Sequence, residues 1–200
     1  MLFRSFDIVG VDPRGTGDST PALDCIDDYD PYFAVDFPDT PEGDQRGIAL
    51  VKQLSEQCAA RSGELLAHVS TQDAARDLDL VRRALGEQKI SYFGFSYGSE
   101  LGAAWVTLFP DTVRAAVFDG AIDPSASAIQ NSIDQAAGFE RALNAFLEHC
   151  RTECSFSQGG DPGKRFDEIL AQSKANDYPT VPGRPSLSLS MTYTAIAQAL

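Results

Sequence analysis

One stretch, Lys89 to Phe109, constrains the fold of this chain more than any other. It contains a short β-branched and aromatic run, then a serine between two glycines, then a small-residue and apolar segment of helical length: KISYFGFSYGSELGAAWVTLF. This pattern predicts a strand, a sharp turn and a helix, with Ser96 at the turn. Gly94 and Gly98 are both expected to be required, because the turn brings these positions close together and leaves no room for a Cβ at either.

Ser96 is therefore a candidate nucleophile. A serine hydroxyl attacks a carbonyl only where a base and oxyanion donors can reach it, and a strand-to-helix turn projects the hydroxyl into such a place. Tyr97 starts the predicted helix, so its backbone N–H lacks an intrahelical acceptor and is the candidate oxyanion donor, assisted by the positive end of the helix dipole. The alternative is that Ser96 is a glycine-flanked serine at an ordinary turn, without a catalytic role.

Composition limits the class of protein. The 200 residues are 43% hydrophobic and 22% charged, which is typical of a globular, core-forming chain. The net charge of −13 argues against a nucleic-acid partner, because phosphate would be repelled. No apolar run approaches the ~20 residues that cross a bilayer, so we expect no membrane span. Residues 1–5 lead directly into a strand-like run, so we expect no signal peptide in these residues.

The region before the serine turn alternates between apolar runs and breakers. Phe6 to Val11 predicts a buried strand. Residues 15–45 hold nine acidic and no basic residues with several prolines, which predicts a long solvated excursion loop; calcium binding is the alternative, although the spacing does not match an EF-hand. Ile48 to Arg61 predicts a helix, and Ser70 to Leu85 predicts an amphipathic helix that Gly86 ends.

The region after the turn first completes a sheet and then becomes helical. Arg114 to Asp119 predicts another strand, and the order strand, helix, strand indicates a parallel sheet covered on both faces. Helices are predicted from Ala126 to Cys150, from Lys164 to Ala175 and onward from Met191. We therefore predict an α/β core over residues 1–124 and a helical insertion over residues 125–200.

The four cysteines permit three pairings. Their spacing favours Cys25 with Cys58 and Cys150 with Cys154, because the second pair is four residues apart and any crossed pairing would tie the two halves of the chain together. Two alternatives remain at this stage. One is a zinc site made by His149, Cys150 and Cys154, and the other is four unpaired buried thiols.

A glycine-rich segment after the first predicted strand raises the question of a nucleotide cofactor. Gly10 and Gly15 have the spacing of a P-loop, but Thr16 stands where the lysine is needed. Thr20 replaces the third glycine of a dinucleotide fingerprint, and Pro21 blocks the helix that should follow. We therefore predict no nucleotide, and neither a cofactor nor a metal is assigned.

Several segments together resemble one family, the α/β-hydrolases of the tripeptidyl aminopeptidase and proline iminopeptidase group. The resemblance covers most of residues 6–155 and is carried by FDIVGVDPRGTGDS (6–19), DLD (77–79), GFSYG (94–98) and DGAIDP (119–124). It implies an α/β-hydrolase fold with a helical cap, and a secreted or cell-envelope, often disulfide-bonded serine hydrolase that removes residues from the N-terminus of peptides. It also implies that Ser96 is the nucleophile, that the Tyr97 N–H is an oxyanion donor and that Arg14 braces its own loop.

The chain also departs from this family. Members carry a His-Gly-Gly-type oxyanion loop before the first of these strands, and their catalytic acid and histidine follow the cap. Here the histidines are His68, which precedes Ser96, and His149, which lies in a predicted cap helix. We expect neither to be the catalytic base, so these residues are predicted to be an incomplete hydrolase, inactive alone. The alternatives are an esterase or lipase-like hydrolase acting on small esters, and a non-catalytic remnant; the oligomeric state is not predicted.

Overall fold

The computed structural model describes residues 6–33, 40–175, 178–184 and 186–200. Nine helices and strands follow one another in these ranges, together with a short 3₁₀ turn at Pro110–Thr112: α1 (Asp30–Phe33), α2 (Pro41–Leu66), α3 (Thr71–Ala84), β1 (Ile90–Phe95), α4 (Tyr97–Leu108), β2 (Val113–Asp119), α5 (Ala128–His149), α6 (Pro162–Lys174) and α7 (Leu189–Ala199). The predicted elements from residue 48 onward are therefore confirmed, with shifted ends. None of the helices in the described ranges has the length and apolar composition needed to cross a bilayer.

The sheet of the described residues consists of β1 and β2, which pair in parallel. Phe93 pairs with Val117 and Phe95 with Asp119. The two strands are joined through α4, as parallel neighbours require a crossover connection. This arrangement confirms the parallel sheet predicted from the order of elements, and it places the end of β2 beside the turn that follows β1.

A small core forms where α4 packs on the sheet and α3 packs on α4. Trp105 is completely buried, next to the buried Ala75 and Leu101. Tyr92 of β1 lies against the Trp105 ring, with 5.9 Å between centroids, and approaches the helix at Gly102. A Cβ at Gly102 would lie 2.4 Å from the Tyr92 ring, so glycine is required for this close packing.

The described helices that contact the sheet cover one of its faces. Phe93, Phe95 and Val117 alternate along the strands with the residues that face α4, and they are 58%, 61% and 52% exposed. Parallel sheets are normally covered on both faces, as was predicted for this one. In the described residues the second face has no cover, so the predicted fold is incomplete there.

The predicted strand from Phe6 to Val11 is wrong. These residues have no regular secondary structure, and Ile8 and Val9 are 65% and 53% exposed. A strand exists only when a neighbour completes its hydrogen bonds, and the sheet of the described residues contains β1 and β2 alone. Local apolar character is therefore insufficient to make this segment a strand.

The predicted excursion loop over residues 15–45 is also partly wrong, because it contains α1 and the start of α2. Pro41 opens α2, a position where proline is tolerated since its missing N–H would have no intrahelical acceptor. Residues 34–39 of this loop lie outside the described residues. The predicted helix from Ile48 to Arg61 falls inside α2, which is kinked at Ser62.

The chain divides into two compact units. One comprises Met1–Cys25 with Ser55–Ser127 and holds the sheet with α3 and α4; the other comprises Ile26–Leu54 with Ala128–Leu200 and holds α5, α6 and α7. In the second unit α6 packs against α7, and the buried Ser173 and Thr192 share a 2.8 Å hydrogen bond. The division into a core over residues 1–124 and a cap over 125–200 stays a prediction.

Two disulfides confirm the predicted cysteine pairing. Cys25 is bonded to Cys58, and Cys150 is bonded to Cys154, with S–S distances of 2.09 and 2.02 Å. The alternatives of a zinc site at His149, Cys150 and Cys154 and of four unpaired thiols are therefore wrong, because all four sulfurs are engaged with one another.

Candidate active site

Ser96 stands alone between β1 and α4, at a sharply bent junction. Its backbone has φ 48° and ψ −118°, a strained conformation for a residue with a Cβ. Its side chain is exposed, and α4 begins at the next residue. The structure thus has the strand, sharp turn and helix that the sequence predicted, with an exposed serine at the turn.

The two glycines that flank Ser96 are not equivalent. A Cβ at Gly94 would lie 2.3 Å from the carbonyl oxygen of Gly98, so glycine is required there. A Cβ at Gly98 would meet only the Tyr92 hydroxyl at 3.6 Å, an ordinary van der Waals contact, and its φ is not positive. The prediction is confirmed for Gly94 and wrong for Gly98, which belongs to the first turn of α4 and has room for a Cβ.

The backbone N–H groups at the junction have different roles. Ser96 N–H donates to the carbonyl oxygen of Asp119 at the end of β2, at 2.9 Å, and is therefore engaged within the fold. Tyr97 is the first residue of α4, so its N–H has no acceptor four residues earlier in the helix. Tyr97 N–H stays the predicted oxyanion donor, at the positive end of the helix dipole.

Two hydroxyl groups donate hydrogen bonds to backbone carbonyl oxygens at the Ser96 junction, and neither was predicted from the sequence. Tyr92 Oη donates to the carbonyl oxygen of Gly98 at 2.6 Å, and burial raises the pKa of this phenol. Ser99 Oγ donates to the carbonyl oxygen of Ser96 at 2.6 Å and accepts from the N–H of Ile122 at 3.0 Å. A signal was available for Ser99: a serine among the small and apolar residues of a buried helix needs a hydrogen-bond partner.

Arg14 connects its loop to α3. Its guanidinium makes two 2.7 Å hydrogen bonds to the carboxylate of Asp77 and one of 2.8 Å to the carbonyl oxygen of His68. The pKa of Arg14 is raised, mainly because its side chain is hydrogen-bonded to Asp77. These contacts confirm the prediction that Arg14 braces the loop. The start of α3 also contacts the residue that follows Ser96, because Thr71 Oγ1 and Tyr97 Oη lie 3.3 Å apart.

The two histidines lie at helix ends and are exposed. His68 follows α2, and in the described part of the chain its imidazole makes no hydrogen bond to Ser96. His149 is the last residue of α5 and belongs to the other compact unit. Within the described ranges no group of three or more potential metal ligands is clustered. That neither histidine is the catalytic base stays a prediction.

The part of the chain that contains Ser96 matches a known protein family. Residues 2–155 match the family model described as alpha/beta hydrolase fold. The matched range includes β1, Ser96, α4 and β2, which are the elements that build the turn.

Individual relatives carry names from two branches of hydrolase chemistry. The serine protease Hip1 of Mycobacterium tuberculosis is 40% identical over 171 residues, which are 83% of this chain and 33% of the relative. A tripeptidyl aminopeptidase of Streptomyces lividans is 44% identical over 142 residues, 68% of this chain and 26% of the relative. A protein named carboxylesterase B, from Mycobacterium tuberculosis, is 44% identical over 164 residues, 80% of this chain and 32% of the relative. The chain therefore spans about a third or less of the length of these relatives.

Proposed function

Because the chain belongs to the alpha/beta hydrolase fold family, we propose that it carries the nucleophile of a serine hydrolase, of the aminopeptidase type that cleaves N-terminal residues from peptides. The observation that carries this proposal is the exposed Ser96 in a strained conformation between a parallel strand and a helix. Strain at a single non-glycine residue is retained where the geometry serves a purpose, and here it presents a hydroxyl.

The chemistry is acyl transfer. A histidine takes the proton of Ser96 Oγ as the oxygen bonds to the substrate carbonyl carbon, and the Tyr97 N–H stabilises the resulting oxyanion together with a second N–H. The proton then passes to the leaving amine as the C–N bond breaks, which leaves an acyl group on Ser96. Water, deprotonated by the same histidine, hydrolyses this ester and restores the serine.

We further propose that the catalytic acid and histidine are supplied from outside these 200 residues, so that this chain alone is inactive. Three observations support this: the positions of His68 and His149 do not fit the Ser, acid, His order of the fold, the relatives extend well beyond the matched region, and one face of the sheet is open in the described residues. By the same proposal, residues 125–200 are the start of a helical cap.

A peptide substrate is supported by the names of two relatives, a serine protease and a tripeptidyl aminopeptidase. The net charge of −13 also favours a substrate that carries a protonated α-amine. The two disulfides support an oxidising location, secreted or in the cell envelope, for the whole protein.

The proposal is tested by labelling with a fluorophosphonate, which forms a covalent bond with an activated serine. The protein is expressed from its complete reading frame, as wild type, as Ser96→Ala and as Ser91→Ala, a control that removes an exposed serine of β1. We expect the label on the wild type and on S91A, and no label on S96A. Peptidase turnover in S96A should fall on the order of 10⁶-fold. Labelling that survives in S96A would remove the nucleophile assignment.

A second candidate function is hydrolysis of small carboxylic esters, favoured by the similarity to carboxylesterase B. The same protein is assayed with peptide p-nitroanilides and with p-nitrophenyl esters. The peptidase proposal expects the larger kcat/KM for a peptide with a free N-terminus, and a loss of that preference when the N-terminus is acetylated. A preference for esters in both forms would favour the second candidate, and the absence of any labelling would indicate a non-catalytic remnant.

A further inference from the structure

Ser99 is a buried polar residue that the reaction scheme above does not use. It lies in the first turn of α4 and is 2% exposed. Its hydroxyl donates to the carbonyl oxygen of Ser96 at 2.6 Å and accepts from the N–H of Ile122 at 3.0 Å. Its hydrogen-bonding needs are therefore met by two backbone groups that lie 26 positions apart in sequence.

The two hydrogen bonds of the Ser99 hydroxyl differ in range: one is local to the helix start and the other is not. A serine near a helix start commonly bonds to a carbonyl three residues earlier, so the contact with Ser96 by itself is local. The contact with Ile122 crosses 23 residues and reaches the segment that leaves β2. Local helix capping does not account for this second bond.

The segment leaving β2 runs beside the nucleophile. Ser96 N–H donates to the carbonyl oxygen of Asp119 at 2.9 Å, so the junction holds this segment at two points, Asp119 and Ile122. Gly120 lies between them with φ 63°, and a Cβ there would be 3.7 Å from Ser96 N and 4.0 Å from Ser96 Cα. Residues 119–122, here called the β2-exit segment, thus form a wall next to Ser96.

We propose that Ser99 is a positioning residue, which sets the distance between the strained Ser96 backbone and the β2-exit segment. This inference rests on the proposed role of Ser96 as nucleophile. Because the Ser99 side chain is bonded to both Ser96 and Ile122, it keeps the Ser96 hydroxyl and the β2-exit segment at a fixed distance as a substrate binds. A small displacement of reacting groups is costly in rate, so such a residue affects the chemical step without touching the substrate.

Removing the hydroxyl has a defined structural consequence. In Ser99→Ala the carbonyl of Ser96 keeps its 2.8 Å bond from the N–H of residue 99, so the helix start is retained. Ile122 N–H loses its acceptor, and the β2-exit segment is no longer held at that end. The expected effect is therefore on the position of the segment rather than on the formation of α4.

The test measures fluorophosphonate labelling of the protein expressed from its complete reading frame, with the saturating rate constant and the half-saturating concentration determined separately. Ser99→Ala should lower the saturating rate constant about 10-fold, with little change in half-saturation. The control is Ser173→Ala, which removes a completely buried serine bonded to Ile169 and Thr192 in the other unit. It should lower stability and leave the rate constant per folded molecule unchanged.

A second measurement begins with the wild-type protein, so its first result does not depend on a variant that folds. Amide hydrogen exchange of the wild-type protein should show Ile122 protected to the same degree as the amides of β2, and S99A should lose that protection selectively. Rapid exchange at Ile122 in the wild type, or a labelling rate in S99A equal to the wild-type rate, would overturn the inference. These results differ from a failure of the proposed function, in which the wild type takes no label or S96A still does.

Discussion

At the residue scale, the site depends on how closely the backbone returns on itself around Ser96. Gly94 and Gly98 are related by the motif but not by their surroundings. A Cβ at Gly94 would lie 2.3 Å from the Gly98 carbonyl oxygen, which is a clash. A Cβ at Gly98 would lie 3.6 Å from the Tyr92 hydroxyl, which is an ordinary contact. The spacing of the motif predicts that the two positions lie close together. The direction of the Cα–Cβ bond at each position then decides which of them must be glycine.

These surroundings predict opposite outcomes for two alanine substitutions. Gly94→Ala should destabilise the protein by about 1–3 kcal/mol, because the new methyl group forces the turn apart. Gly98→Ala should change the free energy of unfolding by less than about 1 kcal/mol, since alanine suits a helix better than glycine does and its Cβ would make only an ordinary contact with Tyr92. Urea unfolding of both variants gives the comparison, and equal losses of stability would contradict it.

At the element scale, three of the described helices begin at side chains that accept the first free N–H groups. Ser70 caps α3, Asp161 caps α6 and Ser188 caps α7. α3 begins at Thr71, one residue after the start of its predicted range, whereas α6 begins at Pro162, two residues before its predicted start. A proline in the first helical position needs no acceptor for its nitrogen, so it extends the helix toward the cap instead of ending it.

The cap of α6 predicts a dependence on pH. The pKa of Asp161 is lowered, because its carboxylate accepts hydrogen bonds from the N–H groups of Lys164 and Gly163. A lowered pKa in the folded state means that the contribution of Asp161 is complete above its ordinary pKa of 3.8. It is lost as the pH falls through the lower, folded-state value.

Thermal unfolding from about pH 2 to pH 7 tests this prediction with two variants. Asp161→Ala should lower Tm at neutral pH, and the difference from the wild type should shrink below pH 3.8. Asp161→Asn keeps a side-chain acceptor without the charge, so its Tm should lie above that of D161A at neutral pH. A difference between wild type and D161A that stays constant down to the lowest pH would exclude the ionised cap.

At the scale of the whole molecule, each compact unit contains one covalent cross-link. The Cys25–Cys58 disulfide closes a loop with a sequence separation of 33 and lies within the unit that contains Ser96. The Cys150–Cys154 disulfide has a separation of 4 and lies in the other unit. A longer closed loop removes more conformational freedom from the unfolded chain, so the two bonds are expected to contribute unequally.

Replacing each pair by serines tests this inequality. The Cys25→Ser, Cys58→Ser double variant should lose about 3–4 kcal/mol, and the Cys150→Ser, Cys154→Ser double variant about 2 kcal/mol, on the loop-entropy scale. Denaturant unfolding measures both, and intact mass with and without reductant confirms two bonds in the wild type by a gain of four hydrogens. A larger loss for the shorter loop would count against the entropic account.

How well the sequence predicts an element depends on whether that element is formed by interactions between nearby or distant residues. The helices after residue 48, both strands of the sheet and the Ser96 junction follow from periodicity, caps and breakers, which act within a few residues. The segment from Phe6 to Val11 does not, because a strand is made by its neighbour, and the described sheet offers it none. Residues 30–33 and 41–45 became helical where acidic residues and prolines had suggested only a loop.

By itself, the sequence determined that a serine stands at a tight strand-to-helix turn, because the glycines, the strand run and the helix run are all local signals. Only the tertiary structure decided which backbone groups that turn engages. Ser96 N–H donates to the Asp119 carbonyl oxygen, Ile122 N–H donates to the Ser99 hydroxyl, and the Arg14 guanidinium donates to the Asp77 carboxylate. These contacts connect residues that are 23 or more positions apart, and their formation depends on how α3, α4 and the sheet pack together, which no local pattern encodes.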